Sequence, residues 1–201
     1  IAKTFSSQGI DSILELLKYF IGVVIVLFIH LFVVYLPLVK LIAKVNIINF
    51  FSGLKQALLF AFSTSSSSAT IPITLNNLEK SFNVKKKVSS FTVPLGATIN
   101  MDGTAIMQGM ATIFIANFYG IELIFTDFLT IILTAALASI GTAGVPGVGM
   151  IMLGMVLNQV GLPLEGIAIV MGVDRLLDML RTSLNVAGDA TVTLLINKLE
   201  K

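Results

Sequence analysis

Five polar side chains near the C-terminal end share one face of a predicted helix. Asp174, Asp178, Arg181, Asn185 and Asp189 are three or four residues apart, so at about 100° per residue they fall within an arc of roughly 80°. A charge in the bilayer core is costly unless it faces protein, water or an oppositely charged partner. Because the surrounding sequence is apolar, this polar stripe predicts a site inside a membrane bundle for ions or charged solutes.

A second polar segment interrupts an apolar block near its middle. Asn100 and Asp102 lie between Gly96 and Gly103, and glycine allows a helix to unwind. Unwound backbone exposes carbonyl oxygens, which hard cations prefer as ligands. Taken alone, this segment is better explained as a helix cap with one buried carboxylate. Together with the other polar segments, it predicts a broken helix with a sodium site.

The composition is that of an integral membrane protein. Mean hydropathy is +0.97, with 56% hydrophobic and 12% charged residues, far outside the soluble range. Residues 19–39 carry no charge and are long enough to cross a bilayer, and residues 128–164 carry none either. The chain contains no cysteine, which excludes disulfides and thiolate metal sites. We expect the lipid bilayer to be its environment.

The charges predict an orientation, if residues 19–39 and about 91–120 are taken as spans. Acidic Glu122, Asp127 and Glu165 then lie on one side, and the positive-inside rule places the other side in the cytoplasm. The lysines of the second side are Lys40, Lys44, Lys55, Lys80, Lys85, Lys86, Lys87, Lys198 and Lys201. The C-terminus is therefore predicted to be cytoplasmic, and the lysine run is a topology signal rather than a nucleic-acid site.

Two segments are predicted to be hairpins that enter the membrane and return. The apolar arm 49–62 is too short to span, and a serine-rich tip (63–70) and a second arm (71–75) follow it between lysines. The arms 128–137 and 150–160 flank a tip with four glycines and a proline, which cannot remain regular helix. Non-helical backbone at membrane depth must be buried in protein or line water.

The predicted fold is an all-α, multi-pass membrane protein with two oppositely oriented re-entrant helical hairpins. Such inverted repeats with broken helices are typical of secondary transporters, and two ordinary hairpins with flexible linkers are the alternative. The elements expected are helix 9–44, hairpin 47–83, broken helix 88–118, hairpin 127–161 and helix 165–198, which together make residues 1–201 one transport domain. Pro37 is expected to bend the first helix.

Two other functional classes are weighed against transport. An ion channel would use rings of like groups, whereas the polar stripe mixes both signs as a zwitterion pocket should. An intramembrane hydrolase with Ser67 as nucleophile would need a base, and the only histidine, His30, lies on another helix. We therefore expect no enzyme, and a His30 that is hydrogen-bonded within the bundle, with a proton carrier as the alternative.

Four motifs together resemble one known family. Ser66–Ser68, Asn100–Thr104, Gly141–Gly147 and Asp178–Asp189 are similar, in order and spacing, to the dicarboxylate/amino acid:cation symporters, the glutamate–aspartate transporter family. The resemblance covers nearly the whole chain. It implies sodium-coupled symport of aspartate or glutamate by alternating access, with sodium ions as co-transported ligands and no other cofactor.

The resemblance also implies roles for single residues. Arg181 would pair with the substrate's side-chain carboxylate, Asp178 with its ammonium, and Asn185 and Ser67 with its α-carboxylate. The implied substrate residues are Ser65, Ser66, Ser67, Thr104, Val145, Gly149, Asp178, Arg181, Thr182 and Asn185. Three implied sodium sites comprise Gly96, Asn100, Asn185 and Asp189; Thr98, Ser139, Ile140 and Thr142; and Asn100 with Asp102.

Departures within the family narrow the substrate and the coupling ion. Asp178 favours an amino acid over a C4-dicarboxylate, and Arg181 favours an acidic side chain, with cystine or a dicarboxylate as the alternatives. Gln108 stands where proton-coupled members carry glutamate, which favours coupling to sodium alone. Ser65 and Met179 replace arginines found in different branches, so the pocket is expected to hold one positive charge fewer.

The resemblance predicts that this chain lacks an N-terminal part. Family members are about twice as long, and the missing half would form the scaffold of a homotrimer in the plasma (inner) membrane. The isolated chain is expected to bind substrate weakly and not to transport it. Asp174 and Arg175 acquire no role from the sequence.

Overall fold

A computed structural model describes residues 2–200, with side chains from residue 13 onward. That part of the chain is helical and contains no strand, so the all-α prediction is confirmed. The α-helices are α1 (Ala2–His30), α2 (Ile47–Thr64), α3 (Ser67–Phe82), α4 (Lys86–Ile99), α5 (Asp102–Phe118), α6 (Phe125–Ile140), α7 (Val148–Gln159) and α8 (Ile167–Leu199), with a short 3-10 turn at Leu164–Gly166.

The first helix does not end at His30 but continues through two π-helical turns. These turns, Leu31–Tyr35 and Leu38–Ile42, lie on either side of Pro37. Proline has no backbone N–H to donate to the helix. The helical run therefore covers residues 2–42, whereas the sequence predicted 9–44, and Lys44 already has a φ of 57°. Ile13–Ile42 is long and apolar enough to cross a membrane.

Helices α2 and α3 form the first hairpin, and α2 is longer than the sequence predicted. Asn46 caps it by accepting a hydrogen bond from the Ile48 amide at 2.8 Å, and Ser63 and Thr64 remain helical. Their hydroxyls donate to carbonyls four residues earlier, each at 2.8 Å. At 18 residues, α2 is also long and apolar enough to cross a membrane, so the interpretation of this arm as too short was wrong.

The remaining elements are a broken helix, a second hairpin and the long helix α8. Asn100 and Met101 separate α4 from α5, and residues 141–147 join α6 to α7, where Gly147 has a φ of +81° that favours glycine. Helix α8 packs against α1 to α5 and α7. All five side chains of the polar stripe are buried, while large apolar side chains such as Phe125 and Ile151 are exposed.

Candidate functional site

The polar stripe of α8 and the tips of both hairpins surround one small polar cavity. Its volume is about 20 Å³, room for roughly one water molecule. The residues that line it are Ser65, Ser67, Met101, Thr104, Thr142, Ala143, Gly144, Val145, Gly149, Asp178, Arg181, Thr182 and Asn185. Most of these residues lie near helix ends, so the site depends on where α2, α4 and α6 end and where α3, α5 and α7 begin.

Every substrate residue that the sequence predicted lines this cavity, with the exception of Ser66. Its hydroxyl donates to the Gly144 carbonyl at 2.8 Å and accepts from the Ala69 amide at 3.1 Å. Ser66 therefore caps α3 and links the two hairpins. The sequence did not predict Met101, Ala143 and Gly144 as lining residues.

Arg181 is the centre of the site's electrostatics. Its Nη1 donates to Asp174 Oδ1 at 3.0 Å and its Nε donates to Asp178 Oδ1 at 3.1 Å. All three side chains are buried, and a buried charge requires such partners. Asp174, which had no role from the sequence, is thus the second carboxylate partner of the arginine.

The second hairpin lies directly against this arginine at Gly149. A Cβ added to Gly149 would lie 3.0 Å from Arg181 Nη2, so a side chain at this position would crowd the guanidinium. Gln108 Nε2 donates to the Gly149 carbonyl at 3.2 Å. Gln108 Oε1 and Ser65 Oγ are buried without a hydrogen-bond partner among the described residues, and unpaired buried polar atoms are uncommon in proteins.

Backbone contacts join the two hairpin tips to each other and to α8. The Gly144 carbonyl accepts from the Ser68 amide at 3.0 Å, in addition to the Ser66 hydroxyl. The Gly147 amide donates to Asp178 Oδ2 at 3.2 Å. The carboxylate of Asp178 thus contacts both the arginine and the tip that closes over it.

The first predicted sodium group is brought together beside the break in the broken helix. Asn100 Nδ2 donates to Asp189 Oδ1 at 3.0 Å and to the Asn185 carbonyl at 3.2 Å. A Cβ on Gly96 would collide with the Asp189 carboxylate. Asn185 Oδ1 accepts from the Gly103 amide at 2.8 Å.

The second predicted sodium group is not linked in this way. Thr98 is exposed and its hydroxyl donates to Leu95, while the Thr142 hydroxyl and amide bond within α6, to Ala138 and Ser139. No hydrogen bond among the described residues joins Thr98 to Ser139, Ile140 or Thr142. The tip of the second hairpin approaches α4 at Gly144, where an added Cβ would lie 2.8 Å from the Ala97 carbonyl oxygen.

Asp102 of the third predicted group faces α1 rather than α8. Its Oδ2 accepts from Tyr35 Oη at 2.6 Å and lies 3.0 Å from His30 Nε2. His30 is therefore hydrogen-bonded within the bundle, as expected. The sequence did not predict a role for Tyr35, whose only signal is a hydroxyl in an otherwise apolar run.

No group of three or more His, Cys, Asp or Glu side chains suited to a metal ion occurs in the part that the structure describes.

Comparison with known proteins gives one family and a set of similar transporters. Residues 1–199 match the sodium:dicarboxylate symporter family. The human excitatory amino acid transporter 1 is 47% identical over 88% of this chain. An excitatory amino acid transporter of Caenorhabditis elegans is 46% identical over 90% of the chain, and the mouse excitatory amino acid transporter 3 is 44% identical over 86%.

The matched relatives are much longer than this chain. The aligned region is 32% of the human protein, 36% of the worm protein and 33% of the mouse protein. The chain thus spans about a third of the length of the curated relatives it matches. The estimate of a twofold difference in length was too small for these relatives.

Proposed function

Because the chain belongs to the sodium:dicarboxylate symporter family, we propose that it binds and carries an acidic amino acid, aspartate or glutamate, in sodium-coupled symport. One observation carries the proposal. A buried arginine with carboxylate partners, Arg181, lies where the tips of both hairpins meet α8. The relatives are named excitatory amino acid transporters, which supports the same substrate class.

The charges of the pocket suit a zwitterion with an acidic side chain. The guanidinium of Arg181 offers the forked donors that match a carboxylate, and Asp178 beside it offers an acceptor for the ammonium. Asn185 and Ser67 would hold the α-carboxylate. The pocket is completed by Thr182 and Thr104 and by the backbone near Val145 and Gly149, with Ser65 and Ser66 at the tip of the first hairpin.

The same charges give a physical reason for coupling to sodium. Three buried carboxylates, Asp174, Asp178 and Asp189, outnumber one buried arginine, so an anionic substrate adds a further uncompensated charge. Bound sodium offsets it, which links the two ligands positively. We propose that Asp189 and Asn185 hold one ion with the backbone of Gly96 and Asn100. Asn100 and Asp102 would contribute to another, and carbonyls of Thr98, Ser139, Ile140 and Thr142 to a third.

We further propose that the two hairpins are re-entrant inverted repeats and that transport proceeds by alternating access. The contact between their tips supports this arrangement, because a ligand at that contact would be covered from both sides. The proposed whole protein is a homotrimer in the plasma (inner) membrane with a cytoplasmic C-terminus. In it, this chain is the transport domain and the scaffold comes from outside it. The proposed activity is transport, not catalysis.

A sodium titration of substrate binding tests the proposal on the complete gene product. We expect the apparent affinity for L-aspartate to rise steeply with sodium, and L-glutamate to compete better than cystine, serine or succinate. Arg181→Ala should weaken aspartate binding at least about 100-fold, and Arg181→Lys, which keeps the charge, should weaken it less. Arg175→Ala is the matched control, because Arg175 is an exposed arginine of the same helix.

Three results would contradict the proposal. Aspartate binding that does not depend on sodium would show that the two ligands are not coupled. Unchanged aspartate affinity in both Arg181 variants would show that Arg181 does not bind the substrate's side-chain carboxylate, and so would contradict the proposal of an acidic substrate. Ohmic sodium current without saturable aspartate uptake in liposomes would favour the channel.

A further inference from the structure

The carboxylate of Asp102 is held from one side only. Tyr35 Oη and His30 Nε2 both contact Oδ2, and Oδ1 accepts no hydrogen bond from the described side chains. The Asp102 side chain is 39% exposed. One oxygen is therefore fixed by α1, and the other is free to bind a cation.

Tyr35 reaches this position because of the π-helical turn at Leu31–Tyr35. A π-turn adds a residue to the helical repeat and changes which side chains face inward, and it ends at Tyr35, which is only 3% exposed. The rings of His30 and Tyr35 meet edge to face with centroids 4.7 Å apart. The two donors thus pack as one unit against Asp102.

The opposite side of the Tyr35 hydroxyl is closed by α8 at Gly188. A Cβ added at Gly188 would collide with Tyr35 Oη and with Asn100 Nδ2. Gly188 is adjacent in sequence to Asp189, whose carboxylate accepts from Asn100. The hydroxyl of Tyr35 therefore lies between Asp102 and the neighbouring Asn100–Asp189 pair.

We propose that Tyr35 is a positioning residue for a sodium site at Asp102. Its hydroxyl can donate only one proton, and it donates that proton to Oδ2, so Oδ1 is directed away from α1 and toward a cation. Tyr35 does not line the substrate cavity, so it acts on the ion through Asp102. The inference rests on the proposed function, in which Asp102 is a sodium ligand.

A merely structural tyrosine would behave differently from a positioning one. Loss of a packing role would lower stability and weaken every ligand alike. Loss of the hydroxyl alone leaves the ring in place and leaves Asp102 with His30 as its remaining donor, so the carboxylate can rotate. Sodium affinity should then fall, while aspartate affinity at saturating sodium should not.

Tyr35→Phe in the complete gene product tests this difference. Aspartate binding is measured over a sodium series and again at saturating sodium. We expect the half-saturating sodium concentration to rise about tenfold, the scale of a hydrogen bond to a charged group, with less than about a twofold change in aspartate affinity at saturating sodium. Tyr19→Phe is the matched control, since Tyr19 is a buried tyrosine of α1, in the same helical run as Tyr35, and packs on Phe114.

Gly188→Ala provides a second variant, because an added methyl group would displace the Tyr35 hydroxyl, and with it the neighbouring Asn100 amide, without removing either. It should raise the sodium requirement in the same direction. If Tyr35→Phe keeps the parental sodium curve while the parent and Tyr19→Phe bind aspartate in a sodium-dependent way, the inference is wrong and the proposed function stands. If the parent itself shows no sodium-dependent binding, the proposed function fails and the inference fails with it.

Discussion

Arg181 is bonded to two carboxylates of its own helix, and they differ in what else they contact. Asp178 also accepts from the Gly147 amide of the second hairpin, so a substrate ammonium at Asp178 would compete with that contact. Asp174 is 8% exposed and its Oδ1 accepts from the arginine at 3.0 Å. We therefore expect Asp174 to orient the guanidinium.

Substitution of Asp174 separates that role from charge alone. Asp174→Asn keeps an acceptor oxygen for Arg181 Nη1, whereas Asp174→Ala removes it and leaves a buried donor unpaired, a loss of about 1–3 kcal/mol. We expect the alanine variant to weaken aspartate binding about tenfold or more and the asparagine variant to weaken it less. Isothermal titration at saturating sodium measures both, with exposed Glu165→Gln as control. Equal losses in the two Asp174 variants would show that the charge, not the acceptor, matters.

At the scale of the element, the sequence predicted the breaks between helices better than the lengths of the helices. Glycine and proline cannot continue a helix cheaply, and the tip at 141–147 and the break at Asn100 lie where these residues cluster. Serine and threonine are less decisive. Ser63 and Thr64 were interpreted as the start of a polar tip, but their hydroxyls donate to carbonyls of their own helix, and α2 continues through them.

The π-helical turn at Leu31–Tyr35 is the clearest feature that the hydrophobic pattern could not predict. A helical period of 3.6 residues assigns each side chain a face, and a π-turn shifts that assignment locally. Tyr35 therefore could not be paired with Asp102 from spacing. By contrast, spacing did predict that Asp178 and Arg181 share a face of α8, because both lie on one regular helix.

The contact between the hairpin tips gives a prediction at this scale. A Cβ on Gly144 would lie 2.8 Å from the Ala97 carbonyl and 2.9 Å from Ser68 Oγ, so Gly144→Ala must push the tips apart. We expect aspartate affinity to fall at least about tenfold at fixed sodium, measured by competition binding. Gly172→Ala is the control, since nothing lies within 4 Å of a Cβ at that glycine. Parental affinity in Gly144→Ala would mean that tip contact is not needed for binding.

For the whole molecule, polarity is arranged inside out relative to a soluble protein. Charged and hydroxyl side chains of α8 are buried at the centre, and large apolar side chains such as Phe32, Ile132 and Ile151 are more than half exposed. Such a surface suits lipid, where polar groups must be satisfied internally. This arrangement was predictable from hydropathy and one polar face, but the depth of each hairpin was not, because α2 is long enough to cross.

Surface labelling of single cysteines decides both orientation and hairpin depth. Residues 1–201 contain no cysteine, so each variant has a single thiol in this part of the protein. Lys44, Ser63, Lys86 and Glu122 are all exposed. In oriented vesicles, an impermeant maleimide should label Lys44→Cys and Lys86→Cys only from the cytoplasmic face and Glu122→Cys only from the outer face.

The same labelling tests the depth of the first hairpin. A hairpin that spans the membrane would expose its tip outside, so Ser63→Cys would label there as fast as Glu122→Cys. We expect it to label at least about tenfold more slowly, because a re-entrant tip stays at membrane depth and does not reach the outer surface. Equal outer labelling rates for these two variants would show that α2 and α3 cross the bilayer, and the inverted-repeat proposal would be lost.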